Sequence, residues 1–223
     1  VKNYRHLDQS RNSIARQCGE DVLGLTQPNS ILLVSGDGFA FPLIYLQKVE
    51  HLRTDTTVVA LPTLLGAWYA QQLREQHPDL VIPFDRYDRA TKNLEALVAA
   101  NPGRTIALAG TLGEDQSLNV DYWPCQQGLL TVIMPKSRDR DLQTVLSENE
   151  QLLSRCHPPA PGTARMNTFE ADIISLYEFP FLRLGDLCQR AGWKDQAQTW
   201  YERGLAINPQ FSQAREALAR LEH

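Results

Sequence analysis

No stretch of this 223-residue chain stays apolar for the roughly 18–20 residues that a membrane-spanning helix needs. No signal-peptide pattern opens it either, and its first residue is Val1 rather than Met, as expected of a piece of a longer protein. Positive charge is not in excess. The 22 Lys and Arg against 26 Asp and Glu leave a net charge of -4, which argues against nucleic acid or an anionic membrane surface as partner. Cysteine is sparse and scattered, at Cys18, Cys125, Cys156 and Cys188, with no Cys-x-x-Cys pair, and the histidines at 6, 51, 77, 157 and 223 form no metal-spaced pair. No zinc site, and no metal or cofactor, is therefore expected. Cys18 and Cys188 fall at apolar helical positions and read as small buried hydrophobes, while a Cys125–Cys156 bridge is allowed in an oxidising compartment. Ser10 and Ser35 lack a histidine partner, and neither Gly-x-Gly-x-x-Gly nor a Walker pattern is present, so no catalytic residue is assigned.

What is there begins with Asn29–Leu46. Ile31 to Val34 is a short unbroken apolar run, the signature of a strand buried on both faces. Ser35-Gly36-Asp37-Gly38 breaks it. Pro42, in the first turn of a following helix, and then Leu43, Leu46, Gln47 and Glu50 continue at helical spacing. A strand–loop–helix unit puts Asp37 at the carboxyl end of its strand, where open α/β sheets bind ligands. Ser35, Gly36, Asp37 and Gly38 are thus the candidate ligand-binding residues. The plainer alternative is that the Asp37 carboxylate accepts N–H groups within its own turn.

Strand and helix signals alternate around this unit. A helix capped by Asp8 or Ser10 carries Ile14, Cys18 and Val22. Strands follow at Thr56–Leu61, Thr105–Ala109 and Leu129–Met134, with Leu80–Ile82 a short strand or an extended connector. Helices fall over Gly66–Gln76, Arg89–Ala100 and Leu142–Leu153, and Gly113–Gln127 reads as a hairpin arm or an edge loop. Tyr45, Trp68 and Tyr69 could stack on a sugar, but at helical spacing they read first as core. The alternation predicts an α/β domain over residues 1–160, with a mainly parallel sheet flanked by helices. A proline-rich link at His157–Gly162 leads to an all-α tail over 165–223. The tail opens with a helix from Asn167 to Tyr177, for which Asn167 and Glu170 form a capping box.

Within the tail, Phe181, Leu184, Gly185, Ala197, Tyr201, Gly204 and Pro209 fall at the spacing of one tetratricopeptide repeat over about 178–211. Small residues mark where two antiparallel helices would cross closely, and a capping helix follows from Phe211 to Leu221. One repeat cannot bury its own faces, so it is expected to dock on the rest of the chain, or to serve a protein partner or self-association.

The run Asp8-x-Ser10, Ser35-Gly36-Asp37 through Phe41-Pro42-Leu43-x-Tyr45-Leu46-Gln47, Arg53-x-Asp55 and Leu64-Leu65 with Trp68-Tyr69 carries more than a fold. Over about residues 3 to 75 it resembles the soluble C-terminal region of a mostly bacterial family of polytopic membrane proteins. That family is of poorly defined function and is related to the protein O-mannosyltransferases. Several of its members end in tetratricopeptide repeats. Where that family has Gly-Asp-Asn-Asp, this chain has Gly36-Asp37-Gly38-Phe39, without the second acid. The resemblance implies a non-catalytic accessory domain of a membrane glycosyltransferase-like protein, outside the bilayer on the extracytoplasmic side. A glycan or lipid-linked sugar would then be handled by the parent's membrane portion. The alternatives are a stand-alone α/β enzyme or ligand-binding domain working at the Asp37 loop, and a repeat-based scaffold.

Overall fold

The computed structural model describes residues 12–88, 93–110, 122–137 and 140–221. The expected cap at Asp8 or Ser10 lies outside them. Helix α1 (Ile14–Leu25) leads into strand β1 (Ile31–Val34), helix α2 (Asp37–Lys48) and strand β2 (Thr57–Ala60). A short 3-10 helix (Leu61–Leu65), α3 (Ala67–Gln76) and α4 (Asn93–Ala100) precede β3 (Ile106–Ala109). The hairpin β4 (Tyr122–Gln127) and β5 (Leu130–Pro135) completes the sheet, and α5 (Leu142–Leu153), α6 (Glu170–Arg190), α7 (Lys194–Ile207) and α8 (Ser212–Leu221) follow. Leu80–Ile82 is a connector.

The sheet is mixed, not mainly parallel. Its order is β2-β1-β3-β5-β4, with β1 parallel to β2 and β3, and β5 antiparallel to both β3 and β4. The physical reason is local. Gly128, in the left-handed region at φ 61°, turns the chain within the two residues Gly128 and Leu129 that separate β4 from β5. Two strands so closely joined can only pair antiparallel, whereas a parallel pair needs a crossover.

Period-2 alternation sorts the strand side chains. Ile31, Leu33, Val59, Ile106, Leu108 and Ile133 join α3 and α4 on one face. Leu32, Val34, Ala107, Ala109, Val132 and Met134 join α1, α2 and α5 on the other, and the same apolar cluster runs on through Tyr177, Leu184, Tyr201 and Ala217 of the last helices. The tail helices therefore roof one face of the sheet.

Two polar devices lock the pieces. Arg53, at positive φ of 50°, donates to the carbonyls of Leu23, Thr26 and Gln27 and pairs with Asp55 at 2.8 Å, so one guanidinium caps the end of α1. Hydrogen bonding to Arg53 holds the Asp55 carboxyl down at about 2. Buried Asp21 accepts from the Tyr177 hydroxyl at 2.6 Å and from the backbone N–H of His157 at 2.6 Å, joining α1 to α6 and to the segment after α5. Burial drives the Tyr177 hydroxyl far above its ordinary value. Cys156 and Cys125 are free thiols, the former pushed up to about 12 by burial, and Cys18 and Cys188 are fully buried.

Three further expectations change. The helix expected to end at Tyr177 continues as α6 to Arg190, carrying Pro180 in its interior. Asn167 does not cap it. Phe169 holds the N-cap position, and Glu170 instead accepts the backbone N–H of Arg165 at 2.7 Å. Tyr45 and Trp68 are not core, since they are 52% and 63% exposed, while Tyr69 is partly buried and its hydroxyl accepts the Ala60 N–H. That contact blunts the open edge of β2.

Candidate ligand site at the carboxyl edge of the sheet

The chain leaves β1 for β2 by α2 over one face of the sheet. It reaches β3, on the other side of β1, by α3 and α4 over the opposite face. The carboxyl ends of β1 and β3 therefore flank a topological switch point, the place where open α/β sheets leave a crevice. Beyond Val34 and Ala109 the two loops stay together, with the Ser35 N–H donating to the Ala109 carbonyl at 3.0 Å. Gly36 and Gly110 then turn with φ of 137° and 103°. A Cβ on Gly110 would stand 2.4 Å from the Ser35 carbonyl oxygen, and one on Gly36 would meet the Phe39 ring at 2.8 Å. Glycine at both positions lets the loops close over that ring.

Helix α6 crosses this crevice and roofs a cavity of about 210 Å³. Ser35, Gly36, Phe39, Gly110 and Leu129 line it from the sheet side, and Asp172, Ser175, Leu176, Phe179, Pro180 and Arg183 from the helix. Those helical residues follow one another by three or one, a single stripe of α6. The stripe carries a carboxylate at one end and a guanidinium at the other, with a hydroxyl and aromatic surface between them.

Of the four residues expected at the site, Ser35 and Gly36 line the cavity. Asp37 is exposed at the carboxyl edge of β1 but is the first residue of α2, so helix starts five residues before Pro42. Its carboxylate makes no hydrogen bond among the described residues, so the turn-closing role does not operate. Gly38 is buried under α6, where a Cβ would stand 2.7 Å from the Phe169 carbonyl and 3.3 Å from Asp172. Gly110, Asp172, Ser175 and Arg183 escaped the sequence reading. The one signal for Asp172, Ser175 and Arg183 was a polar residue recurring on an otherwise apolar helical face.

Six of the seven residues of the repeat pattern gather between α6 and α7. Gly185 faces the Tyr201 ring and Gly204 faces Phe181, pairs that run in opposite chain senses and make the two helices antiparallel. Leu184, Ala197 and Tyr201 are fully buried, and Pro209 is exposed just past the end of α7. Arg203 stacks over Phe181 and Trp200 at 5.0 and 4.5 Å and reaches Glu150 of α5 at 2.5 Å.

Residues 15–86 match the family model described as TMEM260-associated domain 2. A stretch of 147 residues, 64% of this chain, is 26% identical to the protein O-mannosyl-transferase tmem260 of Dictyostelium discoideum. These likenesses relate the chain to that transferase, of which it spans only 18%. No solved structure matches, and no helix among the described residues is long and apolar enough to cross a membrane.

Proposed function

We propose that this chain is an accessory, non-catalytic domain of an O-mannosyl-transferase-like membrane protein, held outside the bilayer on the extracytoplasmic side. The observation that carries this reading is the likeness of 147 residues to 18% of a named transferase. A piece of that size has room to serve a larger enzyme beside its reaction centre. Its switch-point cavity is the natural place for a ligand, and α6 forms both one wall of the cavity and one arm of the α6–α7 hairpin. We read the hairpin as one tetratricopeptide repeat with α8 as its cap. In this reading it docks on the α/β layers and offers its outer surface to a protein partner or a second copy. A glycan or lipid-linked sugar is handled by the parent, and nucleic acid has no part.

The test is a transfer assay. The chain alone, given a lipid-linked mannose donor and an acceptor polypeptide, is expected to transfer nothing. Removing this segment from the full-length parent is expected to lower transfer to a polypeptide acceptor. Transfer by the isolated chain, abolished by Asp37→Ala, would overturn the accessory reading. It would favour the second one, an enzyme at the Asp37 loop, which the placement of Ser35 and Gly36 on the cavity wall supports.

A further inference from the structure

Arg183 is the charged residue of the cavity whose position is hardest to account for by the chain alone. It is mostly withdrawn from solvent, and burial lowers its pKa below the ordinary arginine value. Arginines removed from water are nearly always paired with an acid. Arg183 makes no ion pair among the described residues. Its Nη1 donates to two neutral groups of the β4–β5 hairpin, the Thr131 hydroxyl at 2.6 Å and Gln126 Oε1 at 3.1 Å. Those bonds fix the guanidinium plane and use one corner of it. The Nε–Nη2 edge, the side-on fork that matches the two oxygens of a carboxylate or phosphate, has no hydrogen-bond partner among the described residues.

The rest of the stripe adds direction. Asp172 lies eleven residues earlier on α6, about 16 Å along the axis at 1.5 Å per residue, so its negative charge stands at the far end of the cavity. Between them Pro180 has no N–H to give, so the Leu176 carbonyl lacks its helical donor on the wall that lines the cavity. Acceptors thus lie toward one end and a cationic fork at the other.

We propose that the cavity binds a small oxyanion, a carboxylate or phosphate group, on the Nε–Nη2 edge of Arg183, with donor groups of the same ligand facing the Leu176 carbonyl and Asp172. This rests on reading the cavity as a ligand site. It does not depend on the transfer assay, so failure of either test leaves the other standing.

Calorimetric titration of the chain with inorganic phosphate and with acetate, against sodium chloride at matched ionic strength, tests it. One or both oxyanions should bind where chloride does not, and the stronger of the two tells which head group the fork prefers. Arg183→Gln should weaken that binding about tenfold or more. Arg183→Lys keeps the charge without the fork and should also bind more weakly than the parent. No binding above the chloride control, or binding untouched by Arg183→Gln, overturns the proposal. If Arg183→Gln fails to fold, Arg183→Lys decides, weaker binding than the parent supporting the site and unchanged binding overturning it.

Discussion

Leu32 and Leu33 are neighbours in one strand, both fully buried, and they belong to two differently built cores. Leu33 faces α3 and α4, which come from the chain between β2 and β3, so that side of the sheet is closed by its own crossover. Leu32 faces α1 and α2, and the cluster around it is finished by helices that begin 138 residues later, at Glu170. The difference teaches that a helical hairpin recognisable in sequence by its internal spacing can serve here as a wall. Its long arm seals an apolar face and encloses the cavity at the switch point.

The most severe way to break this comparison is to end the chain after residue 164. If the tail is a wall, truncation uncovers Phe39 and Leu129, strips buried Asp21 of its Tyr177 partner and should abolish cooperative folding, a loss on the order of the whole stability of about 5–15 kcal/mol. Thermal melting followed by circular dichroism checks this. A truncated chain that melts sharply near the temperature of the parent would show that both faces are closed without the tail.

A smaller perturbation tests the hairpin itself. Gly185→Ala would set a Cβ 2.3 Å from the Tyr201 ring, inside a pair of helices that cannot part without lifting α7 off α5. Overpacking of this kind costs about 1–3 kcal/mol. Gly24→Ala is the control, because nothing lies within 4 Å of its added Cβ, and it should be neutral or stabilising by about 0.5–1 kcal/mol. Chemical denaturation of the two variants measures both. Equal and small effects would mean that the α6–α7 crossing is loose.

Why the two cores differed in legibility follows from range. The Ile31–Val34 strand, the Leu142–Leu153 helix and the small residues of α6 and α7 could be read because their signals lie within one turn or one pleat of each other. The β5 register could not. It depends on a hairpin whose first arm, Tyr-Trp-Pro-Cys-Gln-Gln, has no clean apolar alternation. The site was half legible for the same reason. Ser35 and Gly36 sit on the loop that announces itself with two glycines, but Arg183 is more than 140 residues away and arrives only because α6 runs unbroken through Pro180. A proline there argues from local propensity for a helix end, and the packing of Tyr177 and Phe181 on either side of it overrides that preference.

Away from the tail, Arg53 offers a test confined to the α/β layers. Arg53→Ala removes three carbonyl contacts and the pair with Asp55 and should cost about 1–2 kcal/mol. The pH dependence has a definite sign. Asp55 is held at about 2 in the folded chain against 3.8 ordinarily, so its stabilisation is present above about pH 4 and is lost as pH falls through about 2. Unfolding curves between pH 5 and pH 2 should be flatter for Arg53→Ala than for the parent over this window. Because the pair is partly solvent-exposed, the contribution is a fraction of what the shift alone suggests.

The smallest expected effect is a gain, and it lies on the tail side. Glu178 is buried on α6, and its Oε2 has no hydrogen-bond partner among the described residues. Burial raises its folded pKa above the ordinary carboxylate value, an effect only partly opposed by its hydrogen bond with Asn208 past the end of α7. A raised carboxyl pKa means that the folded chain holds the proton more tightly than the unfolded one. Stability is therefore greatest below the ordinary carboxylate value and declines as pH rises through the raised one. Glu178→Gln keeps the shape and the Asn208 contact without the buried charge. It should be more stable than the parent by about 1 kcal/mol at neutral pH, with the difference shrinking to nothing below about pH 4. Paired denaturation curves at the two pH values measure it. A variant destabilised at both would mean that the carboxylate holds α6 to α7 in its ionised form, and the tail would then be joined by charge as well as by apolar packing.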